Sequence, residues 1–353
     1  MMNPTLTDLG WSTFFQSQLS IEDMETLKAA RVIAAHRGAV DVLSTAGELR
    51  LSLPNTDMTD DNIPTVGDWV LINLNADNTG TLERLLMRTS IFKRKAPGHD
   101  RRTQLIAANV DTLFIVSSCN QDFNTARLER YLVLAGEAGV TPVIVLTKAD
   151  LCEDVRPYIE EASRLGSVSF VEVIDARSQE SVEKLKPWCV TGQTIAVVGS
   201  SGVGKSTILN TLSGETVQAT RSIRDDDAKG RHTTTGRSLH HLPSGGWVLD
   251  TPGMRELQLA DVEQGLGQVF GDIFDFAEQC RFSDCSHLAE PGCAVKEAVS
   301  RGDLDEHRLL RFQKLSAEDA RNTESVAERR SKDKKFSKLI KGVKQYRKFT
   351  GKE

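Results

Sequence analysis

Thr194-Ile-Ala-Val-Val-Gly199-Ser200-Ser201-Gly202-Val203-Gly204-Lys205-Ser206-Thr207-Ile-Leu-Asn-Thr-Leu212 runs an apolar strand into a glycine-rich turn and on into a helix. The turn, Gly199 to Ser206, matches GxxxxGK[ST]. Glycines let successive backbone N–H groups face inward around phosphate oxygens, and the helix N-terminus adds its dipole. Lys205 is spaced to reach the β- and γ-phosphates and so to act in catalysis. Ser206 is spaced to ligate Mg²⁺. A strand before the turn and a helix after it are the setting this motif requires, which makes an α/β fold the expectation.

Reading outward supports that class. DTLFIVSS, PVIVLTKAD, VSFVEVIDA and GWVLDTPG each read as a short buried strand, and helical patterns such as TARLERYLVLAGEAG and VRPYIEEASRL separate most of them. Strands alternating with helices predict a parallel sheet covered on both faces. Asp250-Thr-Pro-Gly253 follows one such strand, 44 residues after Ser206. There Asp250 suits an outer-sphere Mg²⁺ contact and the Gly253 N–H a γ-phosphate.

Thr147-Lys148-Ala149-Asp150 follows another strand and matches [NT]KxD. A carboxylate at Asp150 accepts from guanine N1–H and N2–H₂, donors that adenine lacks at those positions, while the Lys148 stem packs on the base. Thr147 stands where Asn is commoner, which predicts a slightly looser loop. Ile174-Asp175-Ala176 ends the next strand, and the Ala176 backbone is the candidate to back the guanine; Asp175 replaces the usual small Ser. The base motif at 147 precedes the phosphate loop at 199, the reverse of the ordinary order. Joining the usual termini and cutting after DxxG produces this order, so the domain reads as circularly permuted.

Between the phosphate loop and DTPG lies a polar segment that includes Arg224 and Arg231-His232-Thr233-Thr234-Thr235. Segments of this kind are ordered by γ-phosphate and Mg²⁺. Thr234 is the candidate second protein ligand for Mg²⁺. Met254 follows DTPG where many GTPases carry a water-positioning Gln, so unaided hydrolysis should be slow. His232 is the candidate polar substitute.

Six cysteines occur. Cys119, Cys152 and Cys189 are scattered through the strand-rich region and read as buried small hydrophobes. Cys280-x₄-Cys285-x-His287-x₅-Cys293 is a Cys₃His set that can close tetrahedrally on one structural Zn²⁺, leaving no open position for catalysis.

The charge distribution points to a polyanionic partner. Residues 329–353 hold 11 Lys/Arg and 2 Asp/Glu, a net +9, which leaves −14 on the remainder of a chain whose formal net charge is −5. Each Lys or Arg set against a phosphate releases counterions. Residues 30–95 read as short alternating runs broken by turn residues, a small antiparallel barrel or sandwich. The first 28 residues look helical or irregular, with an amphipathic stretch at IEDMETLKAARV. No apolar run approaches the roughly 20 residues a membrane helix needs, and no secretory signal is visible, so a cytoplasmic protein with no membrane partner is expected.

The order TKAD, GSSGVGKST, GRHTTT, DTPG and the Cys/His cluster, with AANVDTLFIVSS and RLERYLVLA, resembles the bacterial small-subunit-dependent ribosome-maturation GTPases, the RsgA/YjeQ family. The resemblance spans roughly residues 30–315. It implies an α/β P-loop GTPase domain, circularly permuted, between an oligonucleotide-binding (OB)-fold-like β-barrel and a helical zinc-binding domain. The corresponding boundaries are an N-terminal extension at 1–29, the barrel at 30–95, the GTPase domain at 105–260, the zinc domain at 261–328 and the basic tail at 329–353. The implied activity is hydrolysis of GTP to GDP, stimulated by the small (30S) ribosomal subunit and its 16S rRNA in late maturation, by a monomer. Two rivals share the motifs: an ATP-using kinase or ATPase, and a nucleotide-gated RNA-binding scaffold with negligible turnover.

Overall fold

The alternating runs near the N-terminus form two extended ribbons that share one strand. In the computed structural model the residues described are 4–53, 62–75, 79–95, 103–166, 170–214, 237–250, 259 and 262–323. A short arm carries α1 (Thr13–Gln16) and α2 (Ile21–Thr26). Ser20 caps α2 through a capping box with Asp23. The amphipathic stretch at 21–32 is only half helical: Leu27 is extended and β1 (Lys28–His36) begins at once. Pairing overrides helical propensity here, because β1 has partners on both sides and buries Ala30 and Val32 completely.

Strands β2 (Ala39–Ser44), β3 (Gly47–Ser52), β4 (Trp69–Leu74) and β5 (Gly80–Leu85) complete this unit. RVIAAHRGAVDVLS is thus two strands, turning at Gly38 with φ +79°. The antiparallel order is β3-β2-β1-β4-β5, and β5 returns against β3 where Gly80 meets Leu49 and Leu51. The five strands close around Val32, Val40, Val42, Leu51, Val70 and Ile72. A hairpin of β6 (Ile91–Lys95) and β7 (Thr103–Ala108) leads onward.

The second region contains β8 (Thr112–Ser118), α3 (Thr125–Ala138), β9 (Thr141–Thr147), α4 (Arg156–Ser163), β10 (Phe170–Val173) and α5 (Gln179–Val182). It continues through β11 (Thr194–Gly199), α6 (Lys205–Ser213), β12 (Arg237–His241) and β13 (Trp247–Asp250). The sheet order is β10-β9-β8-β11-β13-β12, parallel except at β12. Every residue of β8 is buried, as a strand covered on both faces must be. Asn124 caps α3 by accepting from the Arg127 N–H, and Gly139, at φ +72°, ends it.

The C-terminal helices are α7 (Glu263–Val269), α8 (Gly271–Ala277), α9 (Ala294–Arg301) and α10 (Glu306–Thr323). They dock on α3 through a glycine contact: a Cβ on Gly265 would sit 2.1 Å from the Val133 carbonyl oxygen. Glu129 of α3, fully buried, accepts from Arg311 at 2.6 Å and Arg308 at 3.3 Å, both on α10. No helix among the described residues is long and apolar enough to cross a membrane.

The barrel and the parallel sheet are continuous. β1 pairs with β12, Ala34 opposite Ser238 and Ala35 opposite Arg237. Arg31, 2% exposed, pins the junction: it donates to the carbonyl oxygen of Leu9 at 2.6 Å, to Thr194 Oγ1 at 2.6 Å and to the Asn109 carbonyl oxygen at 3.3 Å. Its guanidinium also faces the ring of Trp69 at 5.9 Å. Burial pulls the Arg31 pKa down to about 10, against the opposing pull of Asp111 and Asp68. Replacing it with Ala strands three buried acceptors, and we expect a loss of about 3 kcal/mol or more. Lys, with a single nitrogen, should not rescue the loss. Thermal unfolding of the wild type, Arg31→Ala and Arg31→Lys checks this.

Candidate functional site

The C-terminal ends of β9 and β11 and the turn after β10 meet at one edge of the sheet, where open parallel sheets present their ligand crevices. They enclose a cavity of about 400 Å³ lined by Thr147, Lys148, Asp150 and Leu151, by Asp175, Ala176 and Arg177, and by Ser201 to Thr207. Segments up to 60 residues apart in sequence, the TKAD motif and the phosphate loop, thus face one space. Of the residues predicted for this site, Ala149, Gly199 and Ser200 do not line the cavity. Ala149 opens the short 3₁₀ turn Ala149–Leu151, and Gly199 ends β11.

Local backbone demands explain the glycines. Gly199 has φ +140°, and a Cβ there would lie 2.2 Å from the Val116 carbonyl oxygen. Gly204 has φ +99° and is the residue from which α6 springs. Lys205 is buried, and its Nζ donates to the Gly199 carbonyl oxygen at 2.8 Å and to that of Ser200. The ammonium is therefore held inside the turn it would complement with phosphate. Arg127, near the start of α3, donates to Ser200 Oγ while Asp122 holds the same guanidinium at 3.2 Å. Nothing in the spacing of the motifs announces Arg127; only the pairing of β8 with β11 brings α3 to the loop.

Thr147 does the opposite of loosening its loop. Its hydroxyl is buried and donates to the Val203 carbonyl oxygen at 2.6 Å, with the Ser117 carbonyl oxygen at 3.2 Å. The base motif is thereby tied to the phosphate loop by one buried bond. Lys148 follows in the left-handed region, φ +58°, which swings the chain into the turn bearing Asp150. Asp150 Oδ2 accepts from Arg177 at 2.7 Å. Ala176 abuts the loop from the other side: its carbonyl oxygen accepts from Thr211 Oγ1 at 2.8 Å, and its Cβ lies 3.6 Å from where a Gly204 Cβ would be.

Asp250 ends β13, whose Leu249 pairs with Ala196 of β11, so the DTPG motif starts at the same sheet edge as the phosphate loop. Gly253, Met254, His232 and Thr234 lie outside the described residues, as does the basic tail. Cys119 and Cys189 are buried as expected, their thiols pushed up to about 11 and about 12, chiefly by burial. Cys152 is only half-buried: it packs against the rim of the core, and its thiol donates to the Asp154 carbonyl oxygen at 3.2 Å.

The ligand atoms of Cys280, Cys285, His287 and Cys293 all lie within 4.8 Å of one another. His287 Nδ1 is 3.4 Å from Cys293 Sγ and 3.7 Å from Cys280 Sγ, and the two sulfurs are 3.9 Å apart. Tetrahedral Zn²⁺ with standard bond lengths requires edges of roughly 3.5–3.8 Å, so this donor set fits the ion. Three devices shape it. Cys293 immediately precedes α9, whose first N–H groups face Cys280: burial pushes the Cys280 thiol up, but the Val295 and Ala294 N–H groups and neighbouring thiols outweigh it and the net shift is down. His287 adopts φ +58°. Glu290 accepts from the N–H groups of Ser286, Leu288 and Ala289 at 3.1, 2.9 and 3.0 Å and from the Ser286 hydroxyl; that hydroxyl above all, and then backbone N–H groups, lower its pKa to about 2. Glu290 is absent from any reading of ligand spacing, because it binds backbone and not metal.

Comparison with known proteins agrees with this geometry. The family model described as "RsgA GTPase" matches residues 85–260, and one described as "ABC transporter" matches 184–345, a stretch that shares the phosphate loop. The small ribosomal subunit biogenesis GTPase RsgA 2 of Vibrio parahaemolyticus is 49% identical over 97% of this chain and 93% of its own. The small ribosomal subunit biogenesis GTPase RsgA of Mesorhizobium japonicum is 49% identical over 91% of this chain and 92% of its own. Among solved structures, YjeQ from Thermotoga maritima superposes with a TM-score of 0.60 at 27% identity, over 82% of this chain and 97% of that one. YloQ, described as a circularly permuted GTPase, superposes with a TM-score of 0.59 at 28% identity, over 85% of this chain and 97% of that one. The chain belongs to the RsgA family of circularly permuted GTPases.

Proposed function

We propose that this protein hydrolyses GTP to GDP in the biogenesis of the small ribosomal subunit, with the subunit as the stimulating partner. The observation that carries the reading is the convergence of TKAD, the 175–177 turn and the phosphate loop on one cavity. In this reading Asp150 accepts from the guanine edge, Lys148 packs on the base and Ala176 backs it. Gly199 to Thr207 wraps the phosphates, with Lys205 on their charge. Ser206 and Thr234 would hold Mg²⁺, which neutralises charge between the β- and γ-phosphates when bound. Asp250 and Gly253 would sense the γ-phosphate. Cys280, Cys285, His287 and Cys293 would hold one structural Zn²⁺. The segments 1–29, 30–95, 105–260, 261–328 and 329–353 are proposed as the working units, in a cytoplasmic monomer.

The basic tail is the proposed contact with 16S rRNA phosphates. Trp69 and Phe92 support a barrel that meets RNA by shape and charge, since both rings are buried and offer no stacking face.

GTP turnover with and without purified small subunits tests the central claim. Slow release of phosphate alone and an increase on the order of tenfold or more with subunits is expected; negligible turnover in both would favour a nucleotide-gated scaffold. His232→Ala should reduce the stimulated rate by about a hundredfold, with GTP affinity retained. Asp150→Asn should transfer preference from guanine to xanthine nucleotides, measured by competition binding. Metal analysis of the purified chain should return one zinc, and Cys293→Ala should lose it together with thermal stability.

A further inference from the structure

We infer that Arg177 is a positioning residue for guanine selection, and that it compensates for Asp175. The inference rests on the proposed reading of Asp150 as the base-recognising carboxylate. Asp175 lines the same cavity as Asp150, so two carboxylates share one site. Two like charges at one site oppose each other, and either can rotate its partner out of the plane that reads the base. Arg177 answers both. Its Nη2 donates to Asp150 Oδ2 at 2.7 Å and its Nε lies 3.7 Å from Asp175 Oδ1. The Arg177 backbone N–H also donates to Asp175 Oδ1 at 2.9 Å, which fixes that carboxylate in its own turn.

Guanine requires one lone pair on each Asp150 oxygen, for N1–H and N2–H₂. A carboxylate offers about four acceptor positions, so Arg177 can keep its bond while the base is read. The bond holds the carboxylate plane in place before the base arrives. The arginine side chain is 69% exposed and that of Asp150 25% exposed, so removal of Arg177 touches no core. Exposure also bounds the effect to a modest one.

Inosine triphosphate separates positioning from simple attraction. It lacks the N2 amine, so it needs a single bond from Asp150 and tolerates a rotating carboxylate. Binding of GTP and ITP to the full chain should be measured by calorimetry for the wild type, Arg177→Ala, Arg177→Lys and Arg177→Ala/Asp175→Ser. Arg177→Ala should weaken GTP about fivefold and ITP little, so that the GTP-to-ITP affinity ratio falls about as much. Arg177→Lys should recover part of the ratio. The Asp175→Ser change added to Arg177→Ala should recover most of it, by removing the opposing charge and supplying a hydroxyl. An unchanged ratio in Arg177→Ala, or no recovery in the double variant, overturns the inference. Asp150→Asn is the separate control: if it fails to move preference to xanthine, the reading of Asp150 itself falls, whatever Arg177 does.

Discussion

Parallel pairing of β9, β8, β11 and β13 in a fixed lateral order is the constraint on which the site depends. All four strands end at the same edge, and three of the ends carry chemistry: TKAD at β9, the phosphate loop at β11, DTPG at β13. Hydrogen bonds between strands register lateral neighbours and not chain order. A cut between DTPG and β8 therefore leaves the site intact, because no ladder bond crosses the cut. The cost is topological. The chain that leaves β13 emerges beside the site, whereas β8 starts at the opposite edge, and the emerging chain must pack somewhere close by. It does so on α3, where Gly136 and Gly265 allow two helices to approach and Glu129 binds Arg308 and Arg311.

Within this sheet, polar bonds join what the chain order separates. Thr147 reaches Val203, Arg127 reaches Ser200, and Arg177 reaches Asp150. A buried hydroxyl bond such as that of Thr147 contributes about 1 kcal/mol to stability, yet its loss would leave polar groups buried without partners at a greater cost. Its position matters more than its strength. It makes the base-reading turn and the phosphate-binding turn a single body, so a nucleotide held at one end is aligned at the other.

Much of this was legible in the residues. Gly199 to Ser206 could be placed between a strand and a helix, and Cys280, Cys285, His287 and Cys293 could be grouped, because both patterns are local and chemically narrow. The barrel was legible as alternation, but the amphipathic stretch IEDMETLKAARV does not show where its helix gives way to β1. β1 is decided by neighbours 40 residues away, not by local propensity. Thr147 was misjudged for a related reason: replacement of Asn looks like a loss until the carbonyl of Val203 is seen beside it. Glu290 and Arg127 carry no motif at all. They act on backbone or on a serine hydroxyl, contacts for which sequence has no vocabulary.

The shared strand adds a consequence that motif reading did not contain. DTPG precedes the C-terminal helices in the chain, and the sheet adds a second connection, through β12. The segment between α6 and β12 carries His232 and Thr234, and β12 is its exit. That strand pairs on one side with β13, which leads into DTPG, and on the other with β1 of the barrel. Arg31 lies on β1 three residues before Ala34, the partner of Ser238, and binds Thr194 at the start of the phosphate-loop strand. The barrel is thus joined to two strands of the nucleotide-binding sheet, to β12 by backbone pairing and to β11 by a buried cation. A displacement of β12 cannot be absorbed by a linker, because none intervenes; it must break ladder bonds or move β1.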